Sequence, residues 1–450
     1  MTFHDESELD ILPTRHFLFL QGLMGPFFER IGKALRQDGY QVSKVNFNGG
    51  DNFFWRLPGS VNYRGTLHDW PKFLEQLIIK RGITDVLLFG DCRVHHIAAA
   101  DVCQNLHIPL HVFEEGYLRP DWVTLELGGV NGRSSLPRDP RYYLNEANLL
   151  PPEPSHSKVP SSFRTRALQG IAYNSADLLT RWYYPHWTNH RPWHPITEGI
   201  GWLKRLSKRK KTAEQTRETL ARLKASNAEY MLFPLQLDAD AQVRLHSNFR
   251  GTQHSIEYVV ASFAAYAPCD TVLIIKQHPL DNGLQNWRNI VAKIGRKHNV
   301  LGRIGFIEGG DIALLVQDAK GVVTINSTTG TLALAEGIPV ITLGQAVYSI
   351  NGITHKGSLD DFWANPHPPD MVLFAAFRRV LTEYCLVPGG FFSDEAMDKL
   401  VRGVVSKLER HSPRLFNALK TQKDSEFWHS MRRSVNKVPD KLVDIVGNIQ

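Results

Sequence analysis

The segment Gly321–Thr342, GVVTINSTTGTLALAEGIPVIT, contains the pattern that decides the fold class. Its apolar run Val322–Ile325 predicts a buried strand, which is followed by the turn Asn326–Gly330, a short apolar helix and a second strand. A strand-to-helix turn made of small hydroxyl residues and glycine leaves backbone N–H groups and a helix N-terminus free to bind an anion. An ordinary Ser or Thr helix cap would produce the same pattern, so that interpretation stays open as well.

A second polar group, with the sequence Lys-Gln-His-Pro, follows the predicted strand Thr271–Ile275. We expect this strand end to lie next to that of Val322–Ile325, because parallel strands present their carboxyl ends at one edge of a sheet. A cation and an imidazole would then share an anion site with the hydroxyl turn, although His278 can alternatively cap the following helix. The predicted anion-binding residues are Lys276, His278, Pro279, Ser327, Thr328 and Thr329.

Apolar strands alternate with amphipathic helices along most of the chain, which predicts α/β domains built on parallel sheets. At 450 residues the chain exceeds the size of a single hydrophobic core. We therefore expect two Rossmann-like domains facing a cleft, with a helical or irregular insertion and a helical C-terminal region. The expected units are a first Rossmann-like domain at 1–150, a basic Trp-rich insertion or linker at 151–228, a second Rossmann-like domain at 229–370 and a helical region at 371–450.

The first predicted strand-to-helix turn, with the sequence QGLMGP, carries two glycines. In Rossmann-like folds a glycine in this turn lets the backbone approach a ligand closely. Gly22 and Gly25 are therefore candidate substrate-binding positions.

Carboxylates lie at the predicted ends of several strands: Asp91, Glu114, Glu115, Asp238 and Asp240. Two carboxylates facing a sugar ring are the usual apparatus of glycosyl transfer or hydrolysis, one attacking or stabilising the sugar and the other handling the proton. Adjacent Glu114 and Glu115 point to opposite faces if the strand continues through them, so that one of them reaches the cleft. Helix caps and salt bridges are the alternative roles for each of these carboxylates.

Two further polar residues lie in predicted loops. Arg119, in GYLRPDW, can clamp a substrate carboxylate through two N–H donors, or can pair with Asp121. Glu308, in FIEGGD, is placed to accept hydrogen bonds from a ribose. The chain has no Walker A lysine motif, no GxSxG elbow and no HExxH motif, which argues against ATPase and hydrolase classes.

The basic character of the chain is confined to one segment. Of the overall charge of +7, the stretch Lys158–Lys224 carries 14 Lys or Arg against 4 Asp or Glu. The same stretch contains Trp182, Trp187, Trp193 and Trp202. Basic and aromatic residues together suit an anionic membrane surface, and no nucleic-acid recognition motif accompanies them. A solvated basic helix with tryptophans packed between domains remains the alternative.

The composition is that of an ordinary globular protein, with 42% apolar and 22% charged residues. No apolar run approaches the ~18 residues of a membrane span, and the acidic start MTFHDESELD is unlike a signal peptide. Four cysteines without CxxC spacing indicate a reducing compartment and give no reason to expect a metal site. We therefore expect a cytoplasmic protein that lies on the inner face of the cytoplasmic membrane without crossing it.

Several longer stretches resemble the bacterial capsule polysaccharide biosynthesis family. They are FLQGLMGPFFERIGKAL, VNFNGGDNFFW, HVFEEGYLRPDWVTLELGGVNGRSSLPRDP, FPLQLDADAQVRLHS, IIKQHPLDNG and TINSTTGTLALAEGIPVITLG. The resemblance extends from about Phe17 to Trp363 and is weaker in the segment Pro151–Ala228 and in the C-terminal tail.

The resemblance implies a GT-B-like, retaining β-Kdo glycosyltransferase that moves Kdo from CMP-Kdo to a phosphatidylglycerol-type lipid, starting the oligo-Kdo linker of a capsule. It implies no separate cofactor, CMP-Kdo being a substrate. The family's HP motif matches His278 and Pro279, and Asp240 best matches its nucleophilic aspartate, with Asp238 close by. Either Glu115 or Glu114 would then assist proton transfer. The implied partners are a nucleotide sugar, a phospholipid acceptor, the membrane surface and the capsule synthesis and export complex.

Two alternatives remain at this level. A non-catalytic adaptor that delivers lipid-linked polysaccharide to an exporter would need the basic segment but not the strand-end carboxylates. A transferase acting on another nucleotide sugar, such as CMP-sialic acid or a UDP sugar, would use the same cleft.

Overall fold

The computed structural model describes residues 15–154, 158–189, 193, 195–238, 243 and 246–410. Within these residues the strands form two separate sheets, one of seven strands and one of five. Apolar side chains are buried on both faces of each sheet, as parallel sheets covered by helices require. This confirms the predicted α/β class with two Rossmann-like sheets.

The first sheet is built mainly from the N-terminal third of the chain. Alternate side chains of its first strand enter different cores, Phe17 and Phe19 on one face and Leu18 on the other. Five of its strands are parallel, and the sixth pairs antiparallel with the fifth. These strands are β1 (His16–Phe19), β2 (Gln41–Asn46), β3 (Ser60–Asn62), β4 (Asp85–Phe89), β5 (Leu110–Glu115) and β6 (Trp122–Leu127).

The second sheet is entirely parallel and lies in the later part of the chain. Its strands are β7 (Tyr230–Pro234), β8 (Val272–Lys276), β9 (Ile304–Ile307), β10 (Gly321–Thr324) and β11 (Val340–Thr342), in the spatial order β11-β10-β7-β8-β9. The expectation that β8 and β10 are neighbours is wrong, because β7 lies between them. The residues that follow β7 therefore separate the two predicted halves of the anion site.

Helices connect the strands of the first sheet and cover its two faces. They are α1 (Phe27–Gln37), α2 (Gly49–Phe53), α3 (Trp70–Arg81), α4 (Val94–Asn105) and α5 (Pro140–Leu149).

The segment between the two sheets is helical. It consists of α6 (Phe163–Leu179), α7 (Pro195–Ser207) and α8 (Arg209–Ser226). Helix α6 packs closely on α2, where a Cβ at Gly49 would lie 2.4 Å from the carbonyl oxygen of Ala176. The Tyr173 hydroxyl anchors α6 further, since it accepts a hydrogen bond from Gln21 Nε2 at 2.8 Å and donates to Asp51 Oδ1 at 3.0 Å.

Helices also cover the second sheet, and the chain then returns to the first. The second-sheet helices are α9 (Thr252–Tyr266), α10 (Trp287–Lys297), α11 (Ile312–Gln317), α12 (Thr329–Ala335) and α13 (Leu359–Ala364). Helix α14 (Met371–Tyr384) then packs against α5, where the Phe377 and Tyr143 ring centroids are 5.3 Å apart. Short 3-10 turns occupy Asn131–Arg133, Arg181–Tyr183 and Leu301–Arg303.

The C-terminal region is not helical throughout. Strand β12 (Leu386–Pro388) pairs antiparallel with β6, which completes the first sheet in the order β12-β6-β5-β4-β1-β2-β3. Helix α15 (Asp394–Arg410) packs against α1, where Arg30 Nη1 lies 3.1 Å from Asp398 Oδ1. The chain thus crosses back to the first sheet after completing the second, while residues 411–450 of the predicted helical region lie outside the described residues.

Candidate active site

The predicted acidic pair lies within strand β5 rather than after its end. The strand continues through Glu115, so the side chains of Glu114 and Glu115 project from opposite faces of the sheet. Each oxygen of the Glu115 carboxylate is held by a guanidinium: Oε2 lies 2.9 Å from Arg119 Nη1, and Oε1 lies 3.0 Å from Arg166 Nη2. The ion pair of Arg119 with Glu115 joins two residues that the sequence had suggested separately.

This pairing controls the charge of Glu115. Partial burial of the carboxyl favours its neutral form, but the positive charges of Arg119 and Arg166 outweigh that effect and lower its pKa below the usual range. Glu115 is therefore ionised at neutral pH. As long as both guanidiniums hold it, the carboxylate is a weak proton acceptor.

Glu114 occupies a different environment. Its Oε1 accepts a hydrogen bond from the backbone N–H of Glu115 at 3.1 Å, and its negative charge contributes to raising the pKa of the Cys92 thiol, behind the larger effects of burial and of Asp91. Glu114 therefore faces the end of β4. The charge of Glu115 acts on His278, in the turn after β8 of the second sheet.

A three-residue cluster joins the end of β4 to the second half of the chain. The Cys92 sulfur lies 3.2 Å from Asp91 Oδ1 and 3.3 Å from His246 Nε2, and the potential ligand atoms of the three residues lie within 4.8 Å of one another. Among the described residues this is the group whose donor atoms could hold a metal ion. Its contacts are accounted for without one, because Asp91 Oδ2 accepts from the Val130 N–H at 3.1 Å and has Arg133 Nη1 3.9 Å away.

His278 lies in the turn after β8 and is held as a neutral donor. Its Nδ1 accepts a hydrogen bond from the Leu280 N–H at 3.0 Å, so that the hydrogen of the neutral ring is on Nε2. Burial and then the charge of Arg119 lower its pKa to about 4, with Glu115 opposing the shift. At neutral pH the side chain can therefore donate one hydrogen bond to an anion without itself carrying charge. The sequence-based alternative, in which His278 caps the following helix, is wrong: Asn286 caps that helix, and the Nδ1 contact of His278 closes a turn.

Helix α7 supports the turn that follows β8, named the HP turn after His278 and Pro279. Lys276, at the end of β8, is buried, and burial together with the neighbouring Arg205 lowers its pKa. Arg205 Nη1 donates to the carbonyl oxygen of Pro279 at 2.8 Å. Gly201 of the same helix packs against this turn, where a Cβ would lie 2.4 Å from the Asn282 carbonyl oxygen. Helix α7 therefore fixes the loop that carries His278.

The hydroxyl turn before α12 is closed by its own side chains and lies close to the first sheet. Ser327 Oγ accepts the N–H of Thr329 at 3.2 Å, whereas Thr328, which occupies the cap position, makes no side-chain capping hydrogen bond. Thr331 Oγ1 donates to the carbonyl oxygen of Tyr117 at 2.8 Å, and Tyr117 lies two residues beyond Glu115. The turn formed by Ser327, Thr328 and Thr329 therefore faces the loop after β5 across the cleft.

The glycine-bearing turn after β1 is in contact with protein neighbours. The carbonyl oxygen of Gly22 accepts from Arg93 Nη1 at 3.0 Å, and a Cβ at Gly22 would lie 2.8 Å from Phe28 Cδ2. Gly25 has a φ of +127°, and a Cβ there would lie 2.7 Å from Gln169 Oε1 of helix α6. These contacts explain both glycines by packing, while their role as substrate-binding positions stays a prediction.

The other predicted residues are bonded to protein partners or lie outside the described residues. Asp238 Oδ1 accepts the N–H of Thr252 at the start of α9, at 3.0 Å, which makes it a helix-capping residue. Glu308 Oε1 lies 3.3 Å from Arg288 Nη2 and is paired with it. Asp240 lies outside the described residues.

Two arginines of this site were not foreseen from the sequence. Arg166 reaches Glu115 from α6, and Arg205 reaches the HP turn from α7. Both belong to the segment that the sequence identified as basic, but its local pattern gives no signal for which basic residue enters the cleft. The positive charges of Arg119 and Arg166 lower the pKa of both Glu115 and His278, so these four residues form one electrostatic cluster.

Comparison with known proteins supports one family. The model of the family described as capsule polysaccharide biosynthesis protein matches residues 84–392. The chain is 35% identical to the capsule polysaccharide export protein KpsS of Escherichia coli over 82% of this chain and 95% of that protein. It is 33% identical to the capsule polysaccharide modification protein LipB of Neisseria meningitidis serogroup A, over 84% and 92% respectively.

Among solved structures, the chain is similar to Thermosulfurimonas dismutans KpsC, described as a beta Kdo 2,7 transferase, with 14% identity and a TM-score of 0.41 over 86% of this chain and 99% of that one. The family match and the two sequence relatives each extend over most of the chain and include both β5 and the HP turn. The resemblance stated from the sequence is thereby confirmed: this chain belongs to the capsule polysaccharide biosynthesis family.

Proposed function

We propose that this protein is a retaining glycosyltransferase that moves β-Kdo from CMP-Kdo to a lysophosphatidylglycerol- or phosphatidylglycerol-type lipid and so starts the oligo-Kdo linker of a capsular polysaccharide. The observation that carries the proposal is that Glu115 of the first sheet and His278 of the second lie near enough for each to shift the pKa of the other, beside the 2.8 Å hydrogen bond from Thr331 Oγ1 to the Tyr117 carbonyl oxygen that joins the two halves. Opposed strand ends of two α/β sheets are a common place for a nucleotide ligand.

The charges of the cleft suit the proposed donor. CMP-Kdo carries a phosphate and a sugar carboxylate, and the cleft offers Arg119, Arg166 and Lys276 as cations with His278 as a neutral donor. Fixed cations and N–H groups stabilise the charge that develops on a departing nucleotide phosphate. The small hydroxyl turn at Ser327 would complete the phosphate contacts.

In the proposed reaction Asp240 attacks the anomeric carbon of Kdo, and the bond to CMP breaks with its electron pair leaving on the phosphate. The acceptor hydroxyl then attacks the same carbon, which displaces the Asp240 carboxylate and retains the β configuration. The proton of that hydroxyl passes to Glu115. The guanidiniums beside Glu115 suggest how it becomes basic: an anionic substrate group that draws Arg119 or Arg166 away raises the pKa of the carboxyl.

The test is product formation by the purified protein from CMP-Kdo and a phosphatidylglycerol analogue, followed by mass spectrometry. The Asp240→Ala variant is expected to lose at least about a thousandfold in kcat, because no carboxylate remains to form the covalent intermediate. Asp238→Asn is the matched control, since it removes the neighbouring carboxylate charge but keeps an Oδ1 acceptor for the Thr252 N–H, so that stability and turnover should both be retained. Unchanged turnover by Asp240→Ala would reject the proposed nucleophile.

A second candidate is a non-catalytic adaptor for lipid-linked polysaccharide, which the name of the Escherichia coli relative, an export protein, favours. An adaptor would form no product from any nucleotide sugar and would tolerate loss of His278. Calorimetric titration with CMP, UDP and ADP separates these cases and also tests a transferase for another nucleotide sugar. We expect CMP to bind and UDP and ADP to bind more weakly.

No helix among the described residues is long and apolar enough to span a bilayer. We further propose that the protein works at the cytoplasmic face of the inner membrane, where a phospholipid acceptor is available, in contact with the capsule synthesis and export machinery.

A further inference from the structure

Helices α6 and α7 expose an unusual number of large apolar side chains. Ten such side chains between 163 and 206 are more than two fifths accessible to solvent: Phe163, Leu168, Ile171, Leu178, Leu179, Trp182, Ile196, Ile200, Leu203 and Leu206. A soluble monomer normally exposes such residues singly rather than in contiguous patches.

The exposed residues of α6 form one face of the helix. Leu168, Ile171 and Leu178 recur at helical spacing, and Trp182 continues the series just beyond the end of the helix. The opposite face bears Arg166, which pairs with Glu115, and Tyr173, which is buried against α2. Because successive helical residues are about 100° apart, Arg166 and Leu168 point about 200° apart, one into the cleft and one into solvent.

Helix α7 repeats this arrangement. Ile196, Ile200 and Leu203 form its exposed apolar face at spacings of four and three residues. Its other face, with Gly201 and Arg205, contacts the HP turn that carries His278. Both helices therefore contact the candidate site on one side and present apolar residues to solvent on the other.

The charged residues beside these faces are predominantly cationic. Arg164, Lys204 and Lys208 are exposed, as are the residues that follow in the run Arg209–Lys211. The two carboxylates of the stretch 163–211 are Asp177, which is buried, and Glu198. An apolar helical face flanked by Lys and Arg is the pattern of helices that lie in the interface of an anionic bilayer.

We propose that the exposed apolar faces of α6 and α7 form a docking surface for an anionic phospholipid bilayer, which holds the Glu115 and His278 cleft against the lipid headgroups. The inference rests on the proposed function, because the proposed transferase acts on a lipid acceptor that lies in the bilayer. Phe163 lies one helical turn from Arg166, which corresponds to a rise of about 5 Å along the helix axis. A headgroup contacting the start of α6 is therefore close to the candidate site.

The test is flotation of the full-length protein with vesicles of phosphatidylglycerol and phosphatidylcholine, without any donor. The variant is Leu168→Gln/Leu203→Gln, whose parent side chains are 66% and 70% exposed. We expect its partition coefficient to fall at least about tenfold, because two side chains can no longer enter the apolar layer. The matched control is Ile79→Gln/Leu314→Gln, at 67% and 61% exposure outside this segment, and it should bind as the parent does.

Salt separates the apolar contribution from the ionic one. Electrostatic attraction from the run Lys208–Lys211 is screened at high ionic strength, whereas apolar insertion is not. The parent should therefore retain measurable vesicle binding in high salt, and the Leu168→Gln/Leu203→Gln variant should lose it. Equal binding of variant and parent would overturn the proposal, and so would a stable dimer of the parent that the variant abolishes while neither binds vesicles.

Failure of this inference and failure of the proposed function give different results. A protein that glycosylates a water-soluble headgroup acceptor but does not float with vesicles refutes only the docking surface. A protein that floats but forms no product from any nucleotide sugar refutes only the transferase. The Leu168→Gln/Leu203→Gln variant should keep the parent's turnover on the soluble acceptor, because neither substituted side chain faces the cleft.

Discussion

The two sheets offer opposite kinds of chemistry to the cleft. The first sheet contributes Glu115, an ionised carboxylate held by two guanidiniums that lower its pKa. The second contributes His278, which burial and nearby cations keep neutral with a pKa of about 4. The same arginines thus stabilise charge on one group and suppress it on the other. The difference teaches that one positive cluster influences both protonation states. Removing a cation should raise the pKa of both groups, which makes Glu115 less charged and His278 more charged.

The largest expected effect comes from removing the negative charge of Glu115, the contribution of the first sheet. Glu115→Gln should lower kcat by about 10² to 10⁴, the usual contribution of a general base. Glu114→Gln is the matched control, because that side chain lies on the other face of β5 toward Cys92. Steady-state kinetics with saturating CMP-Kdo measures both. A larger loss in the Glu114 variant would reverse the assignment of the two carboxylates.

Replacing the neutral His278, the contribution of the second sheet, should give an intermediate effect. His278→Ala removes the Nε2–H donor, and loss of a hydrogen bond to a charged group should weaken donor binding about tenfold to a hundredfold. Calorimetric titration with CMP measures this loss directly. His278→Gln keeps a side-chain N–H and should recover part of the affinity. If His278→Ala binds CMP like the parent, His278 does not bind the donor.

The pH dependence of stability tests the same residue. The pKa of His278 is about 4 in the folded protein and near 6.5 for an ordinary histidine, so the unfolded chain binds a proton first as the pH falls. The contribution of His278 to stability is therefore complete above about pH 6.5 and is lost as the pH falls toward 4. The melting temperature of His278→Gln should decrease less than that of the parent over this window. A parallel decrease would mean that the imidazole titrates normally.

The smallest expected effect concerns the shared arginines. Arg166→Gln removes one cation from Glu115, so the pKa of that carboxyl should rise toward its usual value. The acidic limb of the pH profile of kcat/KM should then move to higher pH. Above neutral pH, kcat/KM should fall by no more than a few-fold. Arg164→Gln, at an exposed position on the same helix, is the control and should leave the profile unchanged. An unshifted limb in Arg166→Gln would show that Glu115 does not govern it.

Several elements were predictable because their information is local. Strands β8 and β10 have the predicted lengths and are displaced by one residue from the predicted bounds Thr271–Ile275 and Val322–Ile325. A run of β-branched and apolar residues between turns predicts a buried strand wherever the strand lies in the sheet. The position of β7 between β8 and β10 has no such local signature, which is why their predicted adjacency was wrong.

The sequence by itself determined the two α/β halves, the family and the chemical identity of Glu115, His278 and the hydroxyl turn, because these depend on residue type and on periodicity along a short stretch. Tertiary structure alone decided that Arg166 from a poorly patterned segment pairs with Glu115, 51 residues away, and that β12 returns to the first sheet. Contacts between distant residues depend on how helices pack and on which side chains share a buried site. A local pattern specifies neither, so the charge of the cleft emerges only when the chain is folded.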